Sequence, residues 1–379
     1  DTIYVGRFIG SLGIGAITVV MPLTLLISSI GMASGVGGAS IISRAMGSNN
    51  KDKALKTFGN QINLTLHLAI FFVVLGFIFE EQILIAFGGR GEILPYAKEY
   101  FIIILYGVPF LAFAMMANNV IRAQGRPKIA MYTMIVPAIV NMILDPIFII
   151  GLDMGMAGAA WATTISYAGS AIYAMIFFLK GKTEIKVIPK YFLLDFKLDL
   201  EIFSISAITL ARQGSISLLV LVLNHSLFAY AGEDGIAIYG IVIRVMMFAL
   251  FPVIGIAQGF LPIAGYNYGA NNSERVKLSI DTSIKYGVIL ACLILALILW
   301  FNDYIVMAFT EDAKLIRQSA FALVVVFMAS PLIAIQMIGA GYFQAIGKAL
   351  PAMLLTMTKQ GFFLIPLVLI LPNFFGLNG

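Results

Sequence analysis

The chain alternates long apolar runs with short polar connections. Ten runs are long enough to cross a bilayer, because a spanning helix needs about 20 apolar residues. In residue numbers the runs are roughly 14–43, 58–79, 93–121, 129–151, 156–179, 203–231, 236–264, 279–309, 316–346 and 349–371. This pattern predicts an all-α polytopic membrane protein with a helical stub before its first complete span.

Helix-breaking and turn residues recur 222 positions later in the chain. The recurring pairs are Gly10 and Gly232, Gly47 and Gly269, Asn49-Asn50 and Asn271-Asn272, Pro109 and Pro331, and Gly125 and Gly347. Shared turn residues mark the same turns and kinks, so one supersecondary unit is used twice. In an apolar chain, such duplication is typical of transporters.

The offset also predicts how the chain divides. The counterpart of 203–222 would precede Asp1, and the counterpart of 156–179 would follow Gly379. We therefore expect two six-helix bundles in the intact protein, with the first helix partial and the twelfth absent here. The predicted domains are an N-terminal bundle at 1–180, a linker at 181–201 that acts as a hinge, and a C-terminal bundle at 202–379.

Composition agrees with a membrane protein. Apolar residues make up 60% of the chain and charged residues 11%, whereas about 25% are charged in soluble domains. The single cysteine, Cys292, excludes a disulfide framework and thiolate metal sites.

Basic residues mark one side of the membrane. Lys and Arg concentrate in alternate connections, at 44–56, 122–128, 180–197, 275–285 and Lys348, while the intervening connections are mostly acidic. The positive-inside rule makes the basic connections cytoplasmic, so both bundles share one orientation and the repeat is parallel. We expect a multi-pass plasma-membrane protein with a cytoplasmic N-terminus. The net charge of +5 needs no nucleic-acid partner to explain it.

Both copies carry two glycines four residues apart. Gly31 and Gly35 are matched by Gly255 and Gly259, at an offset of 224. Small residues at this spacing let helices approach closely. Close packing is the main interpretation, and helix bending during transport is the alternative.

Asp145 is the clearest candidate for chemistry, since a charge inside a span costs at least about 2.5 kcal/mol on insertion scales. Asn141 lies one turn earlier on the same helical face. Pro146 cannot donate to the carbonyl of Met142, which predicts a kink. Carboxylate, amide and carbonyl oxygens suit Na⁺, and a buried carboxylate equally suits a proton. A purely structural, hydrogen-bonded Asp is the alternative.

The second copy lacks this acid. At the offset of 222, Asn141 corresponds to Phe363 and Asp145 to Leu367. The scaffold is therefore symmetric, whereas the acidic chemistry is confined to the first bundle.

Other polar residues inside the runs are weaker candidates. Arg212, Arg244 and Lys359 either bind an anionic group or extend to a membrane surface. His67 and His225 are interpreted as structural. The nucleotide-binding, metalloprotease and serine-hydrolase motifs are missing from the sequence, so we expect neither ATP hydrolysis nor covalent catalysis, and the protein is not predicted to be an enzyme.

Five segments, in order along the chain, resemble the multidrug and toxic compound extrusion (MATE) family. They are DTIYVGR at 1–7, IISRAMG at 41–47, IRAQG at 121–125, GMAGAA at 155–160 and PIAGYNYGA at 262–270. The resemblance implies a V-shaped pair of six-helix bundles. It also implies a secondary antiporter that exports organic, often cationic, drugs or toxins in exchange for Na⁺ or H⁺, works as a monomer in the lipid bilayer and needs no cofactor beyond the coupling ion.

The resemblance also assigns residues. Asp1, Asn141, Asp145 and Thr163 match the family's coupling site, so Na⁺ at Asp145 and Asn141 is one expectation. Asn118 and Tyr167 match positions that line the substrate cavity. The acids that some branches carry in the second bundle have no counterpart here, where Arg212-Gln213 and Gln336 stand instead.

Two other functions stay open at this point. A lipid or lipid-linked oligosaccharide flippase shares the broader architecture, although its cavity should carry several inward Arg or Lys residues and only Arg212 and Arg244 qualify. A passive channel fits less well with a duplicated scaffold and a one-sided acid. The residue types decide neither between Na⁺ and H⁺ nor which compound is carried.

Overall fold

A computed structural model describes residues 2–180, 183–193 and 195–376. Across these residues the regular structure is helical throughout. The chain divides into two compact units, Asp1–Thr209 and Leu210–Gly379. The predicted all-α membrane fold is confirmed.

The first unit is built from seven helices and the start of an eighth. They are α1 (Thr2–Phe8), α2 (Ser11–Gly47), α3 (Lys51–Ile78), α4 (Glu80–Ala86), α5 (Ile93–Ala123), α6 (Pro127–Pro146), α7 (Gly155–Lys180) and α8 (Phe196–Leu227). The boundary between the two units falls inside α8. A π-helical turn, Ile147–Gly151, extends α6, and a short 3-10 turn, Pro189–Phe192, precedes α8.

The second unit continues from α8 through five more helices. They are α9 (Ala237–Gly269), α10 (Ser273–Met307), α11 (Ala313–Met328), α12 (Ser330–Ala345) and α13 (Ala349–Phe374), the last with a π-helical stretch at Thr358–Leu364. In the described part of the chain, nine helices are long and apolar enough to span a membrane by themselves, and α11 and α12 are so only as a pair bent by 43°. The nine helices and the bent pair correspond in position to the ten predicted runs.

Three pairs of repeated residues have a left-handed backbone in both copies. Left-handed φ angles occur at Asn49 and Asn271 (57° and 54°), at Gly125 and Gly347 (71° and 80°), and at Gly10 and Gly232 (90° and 61°). Glycine and asparagine tolerate this region, where other side chains are strained. The sequence repeat is thus a repeat of local structure.

The second asparagine of each pair caps a helix. Asn50 Oδ1 accepts the backbone N–H of Lys53 at 3.0 Å, and Asn272 Oδ1 accepts that of Arg275 at 3.0 Å. Each bond satisfies one of the N–H groups that a helix start leaves without an intrahelical partner.

Removing either cap should therefore have the same consequence. We expect Asn50→Ala and Asn272→Ala each to lower stability by about 1 kcal/mol, measured as the unfolding midpoint in detergent. Asn302→Ala, at a partly exposed site inside α10 away from either cap, is the control. Unequal losses from the two caps would contradict their structural equivalence.

The paired glycines behave differently in the two copies. A Cβ on Gly31 would lie 2.8 Å from the carbonyl oxygen of Ala112, and one on Gly35 would lie 3.0 Å from the Cα of Met116. In the second copy, a Cβ on Gly255 or Gly259 would meet no atom within 4 Å. Close packing is therefore confirmed for α2 against α5, whereas α9 does not use its glycines this way.

The connecting segment, residues 183–193 and 195–201, lies against the first unit. Ile185 is fully buried in an apolar cluster that includes Phe58 and Phe178. Asn63 donates to the carbonyl of Phe192 at 2.6 Å, and the backbone N–H of Asp195 donates to Asn60 Oδ1 at 2.7 Å. The stretch predicted as a hinge linker is thus attached to one unit along its described length.

Ion pairs reinforce this attachment. Lys56 Nζ lies 2.9 Å from Asp195 Oδ2, and Glu201 accepts from both Arg44 and Lys53 at 3.1 Å. The Lys56 ammonium holds the pKa of the Asp195 carboxyl below its usual value, and the backbone N–H of Leu198 adds to this effect.

The attachment should weaken in acid. A carboxyl whose pKa is lowered by folding stabilises the folded state above its unfolded pKa, and that contribution is lost as the pH falls through the folded pKa. We expect amide protection of 183–193, corrected for intrinsic exchange, to stay constant from neutral pH down to about pH 4, the ordinary range of Asp, and to fall below it. Asp195→Asn should reduce protection already at neutral pH, whereas Asp281→Asn, an exposed acid of the second unit, should not.

Candidate functional site

The candidate site is built on facing turns of α6 and α7. Asn141 and Asp145 lie one turn apart on α6, and Asp145 is fully buried. Asn141 Nδ2 donates to Asp145 Oδ1 at 3.3 Å and to Thr163 Oγ1 of α7 at 3.3 Å. The structure therefore brings together three of the four residues matched to the coupling site, and Asp1 lies outside the described residues.

The backbone beyond Asp145 departs from regular α-helix. Helix α6 ends at Pro146, and the π-helical turn that follows is closed by a bond from Leu152 N to Ile147 O at 2.9 Å. The structure thus has a π-helical turn where the sequence predicted a kink. Such turns are frequent at functional sites.

A glycine lets α7 approach this turn. A Cβ on Gly158 would lie 2.9 Å from the carbonyl carbon and oxygen of Phe148. Backbone cannot move aside as a side chain can, so α7 is held against the π-helical turn. Thr163, five residues further along α7, is positioned by the same packing.

Two tyrosines complete the site, and one of them was missed by sequence reasoning. Tyr100 on α5 is 6% exposed and hydrogen-bonds Thr163, and both Asp145 and Tyr167 lie close enough to act on it electrostatically. The ring of Tyr167 lies against α5, 3.1 Å from the Cβ position of Gly107. A buried tyrosine hydroxyl needs a polar partner, but no sequence signal separates Tyr100 from the other tyrosines in apolar runs, because its burial appears only in the structure.

Asn118 lies in a different part of the first unit. It is 3% exposed, its Nδ2 donates to Ala130 O at 2.6 Å and to Thr133 Oγ1 at 2.7 Å, and its Oδ1 accepts from Arg122. Ala130 precedes Asp145 by fifteen residues of α6, about 22 Å along a helix. In this structure Asn118 ties α5 to the start of α6, so its predicted place in a substrate cavity stays a prediction.

The chemistry of the site is that of hard oxygen ligands. A carboxylate, a carboxamide and two hydroxyls suit Na⁺ or a proton. Among the residues that the structure describes, no cluster of three or more His, Cys, Asp or Glu side chains occurs, so the oxygen-rich group at Asp145 is not part of a larger acidic cluster.

The equivalent place in the second unit is apolar. Phe363 and Leu367, the counterparts of Asn141 and Asp145, are 61% and 43% exposed. Phe363 lies in the π-helical stretch of α13. Both copies thus contain irregular helix in this region, but only the first carries an acid.

A duplicated set of membrane-spanning helices, with a buried acid in the first copy, is typical of a membrane transporter. The MatE family model matches residues 1–147 and 207–370. The chain belongs to the MATE family, as its sequence motifs predicted.

Curated relatives and solved structures agree with this membership. Multidrug export protein MepA of Staphylococcus aureus (strain N315) is 30% identical over 99% of this chain and 83% of its own length. Its counterpart in Staphylococcus saprophyticus is 28% identical over 98% of this chain and 83% of that relative.

The structure of the MATE multidrug transporter DinF-BH in complex with R6G has a TM-score of 0.89 and 35% identity, covering 100% of this chain and 85% of that one. An outward-facing MATE transporter of the MOP superfamily, at 24% identity, has a TM-score of 0.89 over 100% of this chain and 85% of that one, and shows the same fold. The fold and family are established, and multidrug efflux is the activity that these relatives support.

Proposed function

We propose that this protein is a plasma-membrane antiporter that exports organic, often cationic, compounds in exchange for Na⁺ or H⁺. It acts as a monomer with its N-terminus in the cytoplasm. The observation that carries the proposal is the fully buried Asp145 carboxylate, bridged through Asn141 to Thr163. The names of the relatives, multidrug export protein and multidrug transporter, support small organic compounds as the cargo.

Each residue of the site has a role in this proposal. Asp145 holds the coupling cation or proton, since a buried carboxylate gains most from a bound positive charge. Asn141 and Thr163 orient the carboxylate and offer further oxygens when the cation enters. The Tyr100 hydroxyl, bonded to Thr163, connects α5 to the same group, so a change in charge at Asp145 acts on three helices.

Exchange follows from competition between cation and cargo. A bound cation neutralises Asp145 and removes its attraction for a cationic compound. Transport then requires only that cation and compound differ in affinity between the two facing states of the protein. Phe363 and Leu367 stand where the first unit has Asn141 and Asp145, which supports competition in the first unit.

The test uses proteoliposomes that contain the protein and a fluorescent cationic dye. Separate Na⁺ and pH gradients are applied across the membrane, with an ionophore that collapses each gradient as the control. We expect one gradient to drive saturable dye movement, and that gradient identifies the coupling ion. Dye movement under neither gradient would contradict the proposal, and electrical current without saturable exchange would indicate a channel.

A further inference from the structure

The second unit contains two cations deep inside its spans. Arg212 lies at the midpoint of α8 (Phe196–Leu227), and Lys359 lies within three residues of the midpoint of α13 (Ala349–Phe374). Both side chains are half-buried. Extension to a membrane surface explains cations near helix ends, and mid-span positions are the hardest to explain that way.

Neither cation has an acidic partner among the residues that the structure describes. Among the described residues neither makes a hydrogen bond or an ion pair. From Leu210 onward the sequences of α8, α9, α11, α12 and α13 contain no Asp or Glu. An intramembrane charge without a protein partner is costly, and it indicates a ligand of opposite charge.

Helices α8 and α13 run side by side and in the same direction. Ser226 Oγ donates to the carbonyl of Val368 at 3.3 Å, and the hydroxyl of Tyr230, where the helical backbone of α8 continues past Leu227, donates to Asn373 Oδ1 at 2.8 Å. Arg212 precedes Tyr230 by eighteen residues, about five helical turns, so both side chains leave the same helix face. The face that carries Arg212 is therefore the one that meets α13.

Lys359 stands on α13 at a similar depth. Arg212 precedes Ser226 by fourteen residues, and Lys359 precedes Val368 by nine, which puts the two cations within about 8 Å of each other along the helix direction. Both side chains are long and flexible, so at this shared depth they can reach one anion held between the two helices.

We propose that Arg212 and Lys359 form a binding site for the anionic group of an organic solute: a carboxylate, sulfonate or phosphate. Arginine suits such groups because its planar fork donates two parallel hydrogen bonds to a carboxylate or phosphate. The site extends the cargo from organic cations to zwitterions and organic anions. Its use in transport rests on the function proposed above, whereas its binding does not.

The test is a binding assay with a matched pair of dyes. Rhodamine B carries a free carboxylate, and its ethyl ester does not. Fluorescence anisotropy is measured with the protein in phosphatidylcholine nanodiscs. We expect Arg212→Gln and Lys359→Gln each to weaken rhodamine B binding at least tenfold while changing ester binding less than twofold. Arg244→Gln, an exposed cation in α9 of the same unit, should change neither.

Binding of the rhodamine B ethyl ester reports whether each variant is still folded. Unchanged rhodamine B binding in both variants would overturn the proposal, and so would an equal loss of both dyes. Nanodiscs with phosphatidylglycerol distinguish the source of the anion: weaker rhodamine B binding by the wild type, but not by Arg212→Gln, means that a lipid phosphate takes the same site. If the lipid has no effect, the site selects solutes. Dye binding of this kind without gradient-driven transport would contradict the antiporter function and leave the anion site standing.

Discussion

Replacing Asp145 with Asn is expected to abolish gradient-driven export while leaving the protein folded. The change keeps the shape and the hydrogen-bonding partners of a side chain that is fully buried against Asn141. It removes the charge that a coupling cation or proton neutralises. The side chain at this position is then neutral whether or not the coupling ion is present. We expect at least a tenfold lower initial rate of dye export under the coupling gradient, with an unchanged elution profile and unfolding midpoint.

Asp153→Asn is the matched control. Asp153 is exposed, lies eight residues further along the chain and has a left-handed φ of 50° that Asn tolerates. Its replacement should leave the export rate unchanged. Wild-type export by the Asp145→Asn variant would show that Asp145 is a structural acid, and the coupling assignment would be lost.

A valine at Gly31 is expected to disrupt the first unit, whereas a valine at Gly255 should be tolerated. At Gly31 the added Cβ would approach the Ala112 carbonyl oxygen to 2.8 Å and its Cα to 2.9 Å. Both contacts are with backbone, so α2 and α5 must separate. Overpacking of this kind costs about 1–3 kcal/mol, and more where backbone must move. We expect a sharply lower yield of monodisperse protein and a lower unfolding midpoint.

The comparison isolates packing from helix propensity. Both substitutions replace glycine by valine inside a long apolar helix, at equivalent places in the repeat, and Gly255 faces open space. Any difference between the two variants therefore comes from the contact with α5. Equal yields and equal midpoints would mean that α2 does not depend on this close approach.

Much of the site could be predicted from the sequence because its central residues lie on one helix. Asn141 and Asp145 are four residues apart, so helical periodicity alone puts them on one face. Pro146 was sufficient to predict irregular backbone next to them, since proline removes a helical hydrogen bond. The family resemblance added Thr163, which the structure places within hydrogen-bonding distance of Asn141.

Other parts of the site depend on contacts between distant segments. Tyr100 is one of many tyrosines in apolar runs, and only the packing of α5 against α7 brings its hydroxyl to Thr163. The contacts of the Asn118 amide with the first turns of α6 likewise follow from the packing of α5 against α6. The polar sequence of the connecting segment predicted a hinge linker. Its attachment to the first unit depends on Asn60, Asn63 and Lys56 of α3, which is distant in sequence.

The sequence by itself determined which segments span the membrane and which residues adopt turn conformations. Apolar runs set the ten spans, and repeated Gly and Asn residues set turns whose left-handed backbone is the same in both copies. The tertiary structure alone decided what each face meets. The Gly31 pair is packed and the Gly255 pair is open, although the sequences match, and Arg212 faces α13 only because α8 and α13 run side by side. The physical reason is that dihedral preference and transfer into a bilayer are local to a few residues, whereas contact between helices depends on every segment that positions them.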